Sequence, residues 1–394
     1  MLTEVKHLEN HVQEWLLERN HVARAFFARE AQRLALVCRD MAERFLQGGR
    51  LLAFGRGPYA TDAQHVSVEF VHPVIVGKRA LPALDLSVSF RAWLEALLRP
   101  EDMVMGFGPP EGDPKVSIAL RDAHRKGAMT FALPGSEATY AIEAASQHAF
   151  IHQENVETLY HTLWETVHVF FERRELGHEV GEAGFLYPFL SREKQSTNEV
   201  VSEVAASIEM KVEEDARLRV EVAREQMAAI AGAALAIHER VARGGKLIIF
   251  GNGGSATDAN DWALDCVLPP QAYRSVPAIS LSLEPANITA IANDVGAEVI
   301  FLRQLVAQAQ AEDVAVGIST SGGSANVIAA LEEARQRGLL TVALLGYDGG
   351  EVARRGLADF SLLVASEHVP RIQEVQASVY HVIRELLEVI ARGE

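Results

Sequence analysis

Cysteine is scarce in this chain: Cys38 and Cys266 are the only two in 394 residues. Two isolated thiols argue against a disulfide scaffold or a cysteine-rich zinc site, and they suit a reducing cytoplasm. No stretch of about 18 apolar residues runs without charge, so no membrane partner is expected. The first twenty residues are charged and amphipathic, with no apolar central segment, and are not read as a secretory signal. Basic residues are also short, 37 Lys and Arg against 53 Asp and Glu, for a formal charge of −16. A chain this acidic repels a phosphate backbone, which argues against nucleic acid as a direct partner. For the same reason, a phosphate-bearing ligand has to be held by local donors rather than by net charge. With 48% hydrophobic and 23% charged residues, the default is a globular protein, and the length suits two domains rather than one core.

The strongest positive feature is an internal repeat. The stretch RLLAFGRGPYATDAQHVSVEF, from residue 50, aligns with KLIIFGNGGSATDANDWALDC, from residue 246. Gly55, Gly57, Asp62 and Glu69 face Gly251, Gly253, Asp258 and Asp265 at one constant offset. Further on, Leu81-Pro82-Ala83-Leu84 faces Val276-Pro277-Ala278-Ile279, and Glu101-Asp102 faces Glu312-Asp313. Near the two ends, Gln153 and His161 face Gln373 and His381, each pair eight apart. The order of these matches points to duplication. The first copy is shorter and lacks a segment around Ile291-Ala292-Asn293-Asp294.

Each copy reads as α/β. Residues 3–48 and 196–243 have helical periodicity and end at a glycine pair. Short apolar runs at 51–54, 247–250, 313–318, 340–345 and 360–364 read as buried parallel strands, separated by helical stretches such as 326–337. A long helix is expected over 371–391. Such alternation predicts a doubly wound parallel sheet flanked by helices in each copy. The expected division is a first domain over 1–175, a glycine-containing linker over 176–195 and a second domain over 196–394.

Two loops of the second copy suit a phosphate. Gly251-Asn252-Gly253-Gly254-Ser255 joins a strand to a helix, and its glycines let the backbone approach a ligand closely. Ser319-Thr320-Ser321-Gly322-Gly323-Ser324 offers four hydroxyls and a glycine pair at a helix N-terminus, an anion cradle without a cation. Ordinary glycine-rich turns with serine caps would use the same residue types. Neither loop matches the dinucleotide fingerprint or the lysine-bearing phosphate loop, which argues against a nucleotide cofactor.

The stretches GNGGSATDA, ITAIANDVGAEVIF, GISTSGGSANV and PRIQEV resemble the phosphoheptose (sedoheptulose-7-phosphate) isomerase branch of the SIS, or sugar isomerase, family. The resemblance covers nearly all of the second copy and implies two tandem SIS domains, the first degenerate. It implies a phosphorylated sugar as ligand, bound through Ser319, Thr320, Ser321 and Ser324, with Asn252, Gly253, Ser255 and Gln373 along the sugar. It also implies a homo-oligomer and aldose–ketose isomerisation through an enediol. In that family a His and a Glu four apart, and a Gln and a His eight apart, gather around one site, often with zinc.

The first copy keeps that whole quartet as His65, Glu69, Gln153 and His161, but has Gly108-Pro109-Pro110-Glu111-Gly112-Asp113 in place of the cradle. There two prolines remove N–H donors, and Glu111 and Asp113 are expected to repel phosphate. The second copy is the reverse. Its cradle is intact, while Asp261 and Asp265 stand for the His and Glu beside Gln373 and His381. Asp265 is one methylene shorter than a glutamate, and two aspartates four apart repel unless a cation lies between them. Glu69, His161, Asp265 and His381 are therefore the expected acid–base residues. Zinc or another divalent metal would take its ligands from His65, Glu69, Gln153, His161, Asp261, Asp265, Gln373 and His381. An arginine that commonly follows the family glutamate is missing, with Pro73 and Pro269 in its place. Two functions follow from the resemblance: a sugar-phosphate isomerase, or a sugar-phosphate-binding regulator without catalysis.

Overall fold

A computed structural model describes residues 2–73, 78–175, 197–270 and 272–393. The expected linker, 176–195, lies outside the described residues.

Ten short strands form two parallel sheets of five. The first contains β1 (Leu51–Phe54), β2 (Ala83–Asp85), β3 (Met103–Phe107), β4 (Met129–Leu133) and β5 (Tyr140–Ala141), in the order β2-β1-β3-β4-β5. The second contains β6 (Leu247–Gly251), β7 (Ala278–Ser280), β8 (Val314–Ser319), β9 (Leu340–Gly346) and β10 (Phe360–Val364), in the order β7-β6-β8-β9-β10. The two orders are the same, and every pairing is parallel. The repeat read from sequence is therefore a repeat of fold. The central strands are buried along their whole length, as helices on both faces require.

Matching residues build matching joints. Asp102 accepts hydrogen bonds from the backbone N–H of Arg50 (3.0 Å) and pairs with its guanidinium (2.7 Å). Asp313 does the same for the backbone (2.8 Å) and ammonium (2.6 Å) of Lys246. Each aspartate thus pins the start of a central strand to the residue before its neighbour. Gly49 and Gly245 leave room beside it: a Cβ on either would lie 2.2 Å from the carbonyl oxygen of Glu101 or Glu312.

The helical stretch expected over 196–243 is two helices, Thr197–Glu225 and Met227–Ala242, parted at Gln226. The unbroken apolar period concealed that joint. Contacts divide the chain into one unit of residues 21–214 and another of residues 1–20 with 215–394. In the latter, Leu8, Val12 and Leu16 join the core under the second sheet. Arg19 Nη2 donates to Glu385 Oε2 at 2.6 Å there, both side chains buried. The units are thus not the two consecutive blocks that the repeat alone suggests. Among the described residues, no helix is long and apolar enough to cross a membrane.

Candidate functional site

In the second sheet β6 connects to β7 on one side, and β8 lies on its other side. The crevice at the carboxyl ends of β6 and β8 is the topological switch point, where such folds take their ligands. Both predicted phosphate loops start there. The first leaves β6 at Gly251 and turns at Gly253, whose φ of 57° favours glycine, into the Gly254–Val267 helix. The second leaves β8 at Ser319 and enters the Ala325–Gln336 helix.

Asn252 Nδ2 donates to Asn326 Oδ1 at 2.9 Å, and Asn326 Nδ2 returns a bond to Asn252 Oδ1 at 3.0 Å. This amide pair ties the two loops together. Inside the second loop the Gly322 N–H donates to Ser319 Oγ (3.1 Å) and the Gly323 N–H to Ser321 Oγ (3.2 Å), while Ser319 Oγ and Ser324 Oγ stand 3.4 Å apart. Ser324 occupies the cap position without spending its hydroxyl on the helix. Hydroxyls and amide N–H groups thus gather over a helix N-terminus with no cation among them. The Gly349-Gly350 turn backs the loop closely: a Cβ on Gly322 would lie 2.1 Å from the Gly349 carbonyl oxygen.

The Gly254–Val267 helix then places Asp261 and Asp265 one turn apart, opposite the Val369–Arg392 helix. Asp265 Oδ2 lies 3.1 Å from His381 Nε2, and Asp261 Oδ2 lies 3.5 Å from the same nitrogen. Tyr380 donates its hydroxyl to Asp261 Oδ2 at 2.8 Å and stacks on Trp262. Asp261, Asp265 and His381 are all buried. Burial, reinforced by the Asp261 charge, pushes the Asp265 carboxyl up to about 7 against the opposing pull of His381. Gln373, on the same helix as His381, carries a buried Oε1 with no hydrogen-bond partner. The buried Arg384 holds the Asp265 carbonyl oxygen (3.2 Å) and so steadies the end of the aspartate helix.

The first sheet repeats the plan with different side chains. His65 Nε2 and His161 Nε2 face each other at 3.2 Å, and Glu69 Oε1 lies 3.8 Å from His65 Nε2. Gln153 donates to Asp62 Oδ2 at 3.4 Å. Burial, with Glu165 adding a like charge, pushes Glu69 up to about 8. Its Oε2 is buried without a hydrogen-bond partner. At the missing cradle Asp113 is occupied otherwise than expected. It caps the Pro114–Arg125 helix through the N–H groups of Lys115 (2.7 Å) and Val116 (3.2 Å) and pairs with Arg56 at 2.7 Å. Its charge is thus largely spent, and those bonds hold its carboxyl below the usual range despite partial burial.

The SIS domain family model matches residues 212–346. The phosphoheptose isomerase of Pelobacter propionicus is 44% identical over 168 residues, which cover 42% of this chain and 88% of that protein. The phosphoheptose isomerase of Geobacter sp. strain M21 is 48% identical over 146 residues, covering 37% and 75%.

This chain belongs to the SIS domain family.

The C-terminal domain of glucosamine-fructose-6-phosphate aminotransferase from Francisella tularensis superimposes with a TM-score of 0.53 at 12% identity, covering 95% of this chain and 96% of that one, and shares the fold. The two sheets are accordingly two tandem SIS domains, and the second carries the similarity to phosphoheptose isomerases. In the second SIS domain Asp261, Asp265 and His381 come together, as do Ser319, Ser321 and Ser324 with their loop glycines. In the first, His65, Glu69 and His161 come together. Sequence reasoning missed Asn326 and Tyr380. Tyr380 precedes His381 and was legible as a neighbour, whereas nothing in the spacing marked Asn326 as the partner of Asn252.

Proposed function

We propose that the second SIS domain binds a phosphorylated sugar and interconverts its aldose and ketose forms. The phosphate sits in the cradle of Ser319, Thr320, Ser321 and Ser324, where N–H groups and hydroxyls meet its oxygens. The sugar chain runs past Asn252, Gly253 and Ser255 toward Gln373. Asp265 takes a proton from the carbon beside the carbonyl and returns it to the former carbonyl carbon. His381 passes the hydroxyl proton between the two oxygens of the enediol. A carboxyl near 7 suits this work, since it is a competent base and its conjugate acid is still populated at neutral pH. The observation that carries the reading is the reciprocal Asn252–Asn326 amide pair, which brings the glycine loop and the serine loop to one crevice.

The residues also fit a divalent metal. Asp261, Asp265 and His381 offer ligand atoms within 4.8 Å of one another, as do His65, Glu69 and His161, and orphaned buried oxygens on Gln373 and Glu69 lie on the same helices. A hard or borderline cation would be held by Asp261, Asp265, Gln373 and His381, or in the first domain by His65, Glu69, Gln153 and His161. When bound it would supply a positive charge for the enediolate oxygen.

A second reading, binding without catalysis, is favoured by one contact: the Tyr380 hydroxyl already occupies Asp261 Oδ2. Proton exchange decides between them. With sedoheptulose 7-phosphate in deuterated water, isomerisation washes deuterium into the sugar's C2 position, and Asp265→Asn abolishes the exchange while saturable binding persists. Saturable binding with no exchange in the wild-type chain overturns catalysis, and absence of binding overturns both readings.

A further inference from the structure

The first SIS domain has a cleft of about 630 Å³ beyond the carboxyl ends of β1 and β2, lined by the loop after β1, the segment after β2 and the start of the Pro114–Arg125 helix. That volume suits a small molecule. Three cations line it, Arg56, Arg91 and Lys115, against one carboxylate, Asp85. Asp85 is engaged locally, accepting from the N–H (2.8 Å) and hydroxyl (2.5 Å) of Ser87. A cationic cleft is unexpected in a chain of formal charge −16.

The repeat shows what changed. Arg56 follows Gly55 as Asn252 follows Gly251. Lys115 precedes Val116, which packs on Gly106, as Asn326 precedes Val327, which packs on Gly317. The two positions that form the Asn252–Asn326 amide pair in the second domain are therefore a guanidinium and an ammonium in the first. Ser89, also in the lining, has φ 63° and ψ 37° and heads the Phe90–Leu97 helix without a side-chain cap, so its hydroxyl is not spent on that helix. Such backbone strain in a non-glycine residue clusters at ligand sites. Phe54 and Phe90 stack at 4.5 Å beneath, giving the segment a rigid base.

We propose that this cleft is a second, separately built site for a small phosphomonoester, gripped by Arg56 and Lys115 in place of the hydroxyl cradle lost from this domain. A guanidinium fork and an ammonium on opposite sides of one phosphoryl group match its oxygens in geometry and charge. Arg56 spends one arm on Asp113, which tempers affinity and keeps the fork oriented.

The test is calorimetric titration of the full chain with inorganic phosphate, wild type beside R56A/K115A, D113N and S321A. R56A/K115A is expected to weaken one binding step by about tenfold or more, the loss typical of charge-assisted bonds. S321A acts on the cradle of the second domain and is expected to leave that step alone, so failure here and failure of the proposed function are told apart. D113N keeps a capping side chain and removes the competing charge, so it is expected to tighten the same step. Unchanged binding in R56A/K115A overturns the proposal. Should R56A/K115A not fold by circular dichroism, D113N decides alone: tighter binding upholds the site and unchanged binding overturns it.

Discussion

Asp265 lies deep between Asp261 and His381, and its short side chain sets how far a carboxylate reaches into the crevice. One methylene is worth roughly 1.5 Å of reach, and a misplacement near 1 Å can cost about a hundredfold in rate. Asp265→Glu is therefore expected to raise the deuterium exchange rate by up to about a hundredfold, read by NMR under single-turnover conditions. His152 shows burial outweighing an opposing backbone contact with Gly108. It stands in the first copy where Ile372 stands in the second, and burial pushes its imidazole down to about 4. The unfolded chain takes up that proton near 6.5, and the folded chain does so only near 4. Stability is therefore complete above pH 6.5 and lost as pH falls toward 4, by at most roughly 3 kcal/mol. His152→Ile should leave the urea midpoint unchanged at pH 8 and raise it at pH 5. An unchanged midpoint at pH 5 contradicts the assignment.

At the scale of elements, the joint between strand starts is the same in both domains and should fail in the same way. Asp313 is buried and takes the N–H groups of Lys246 and Gln310 (2.8 Å each) as well as the Lys246 ammonium. Asp313→Ala leaves those donors unpaired and is expected to cost about 3 kcal/mol, measured by urea unfolding. Gly245→Ala sets a Cβ against the Glu312 carbonyl, which is backbone and cannot swing aside. A loss of at least about 2 kcal/mol is expected, and Gly49→Ala in the first domain should match it. The strand and helix assignments were legible from apolar runs and glycine stops, because local period and local punctuation suffice for long elements. β2, β3, β4, β5 and β7 were not recognised as strands. Two or three residues at a sheet edge carry too little pattern, and pairing with β1, β4 and β6 defines β2, β5 and β7.

Across the whole molecule, residues 1–20 belong with 215–394. A fragment of residues 196–394 therefore lacks Leu8, Val12 and Leu16 from its core and leaves Glu385 without Arg19. Removing one partner of a buried ion pair costs about 3–5 kcal/mol. The fragment is expected to melt well below the full chain, and a peptide of residues 1–20 added in trans should raise its melting temperature. The sequence by itself determined the duplication, the α/β class, the glycine- and serine-rich loops after β6 and β8, and the aspartates that stand in the second copy for His65 and Glu69, because each is written in contiguous residues or in a repeat of them. Tertiary structure alone decided which sheet the first twenty residues serve, that Asn326 closes the crevice with Asn252, that Tyr380 holds Asp261, and that Asp113 pairs with Arg56. Those are contacts between residues far apart in the chain, and no local period encodes a partner that only folding brings within hydrogen-bond reach.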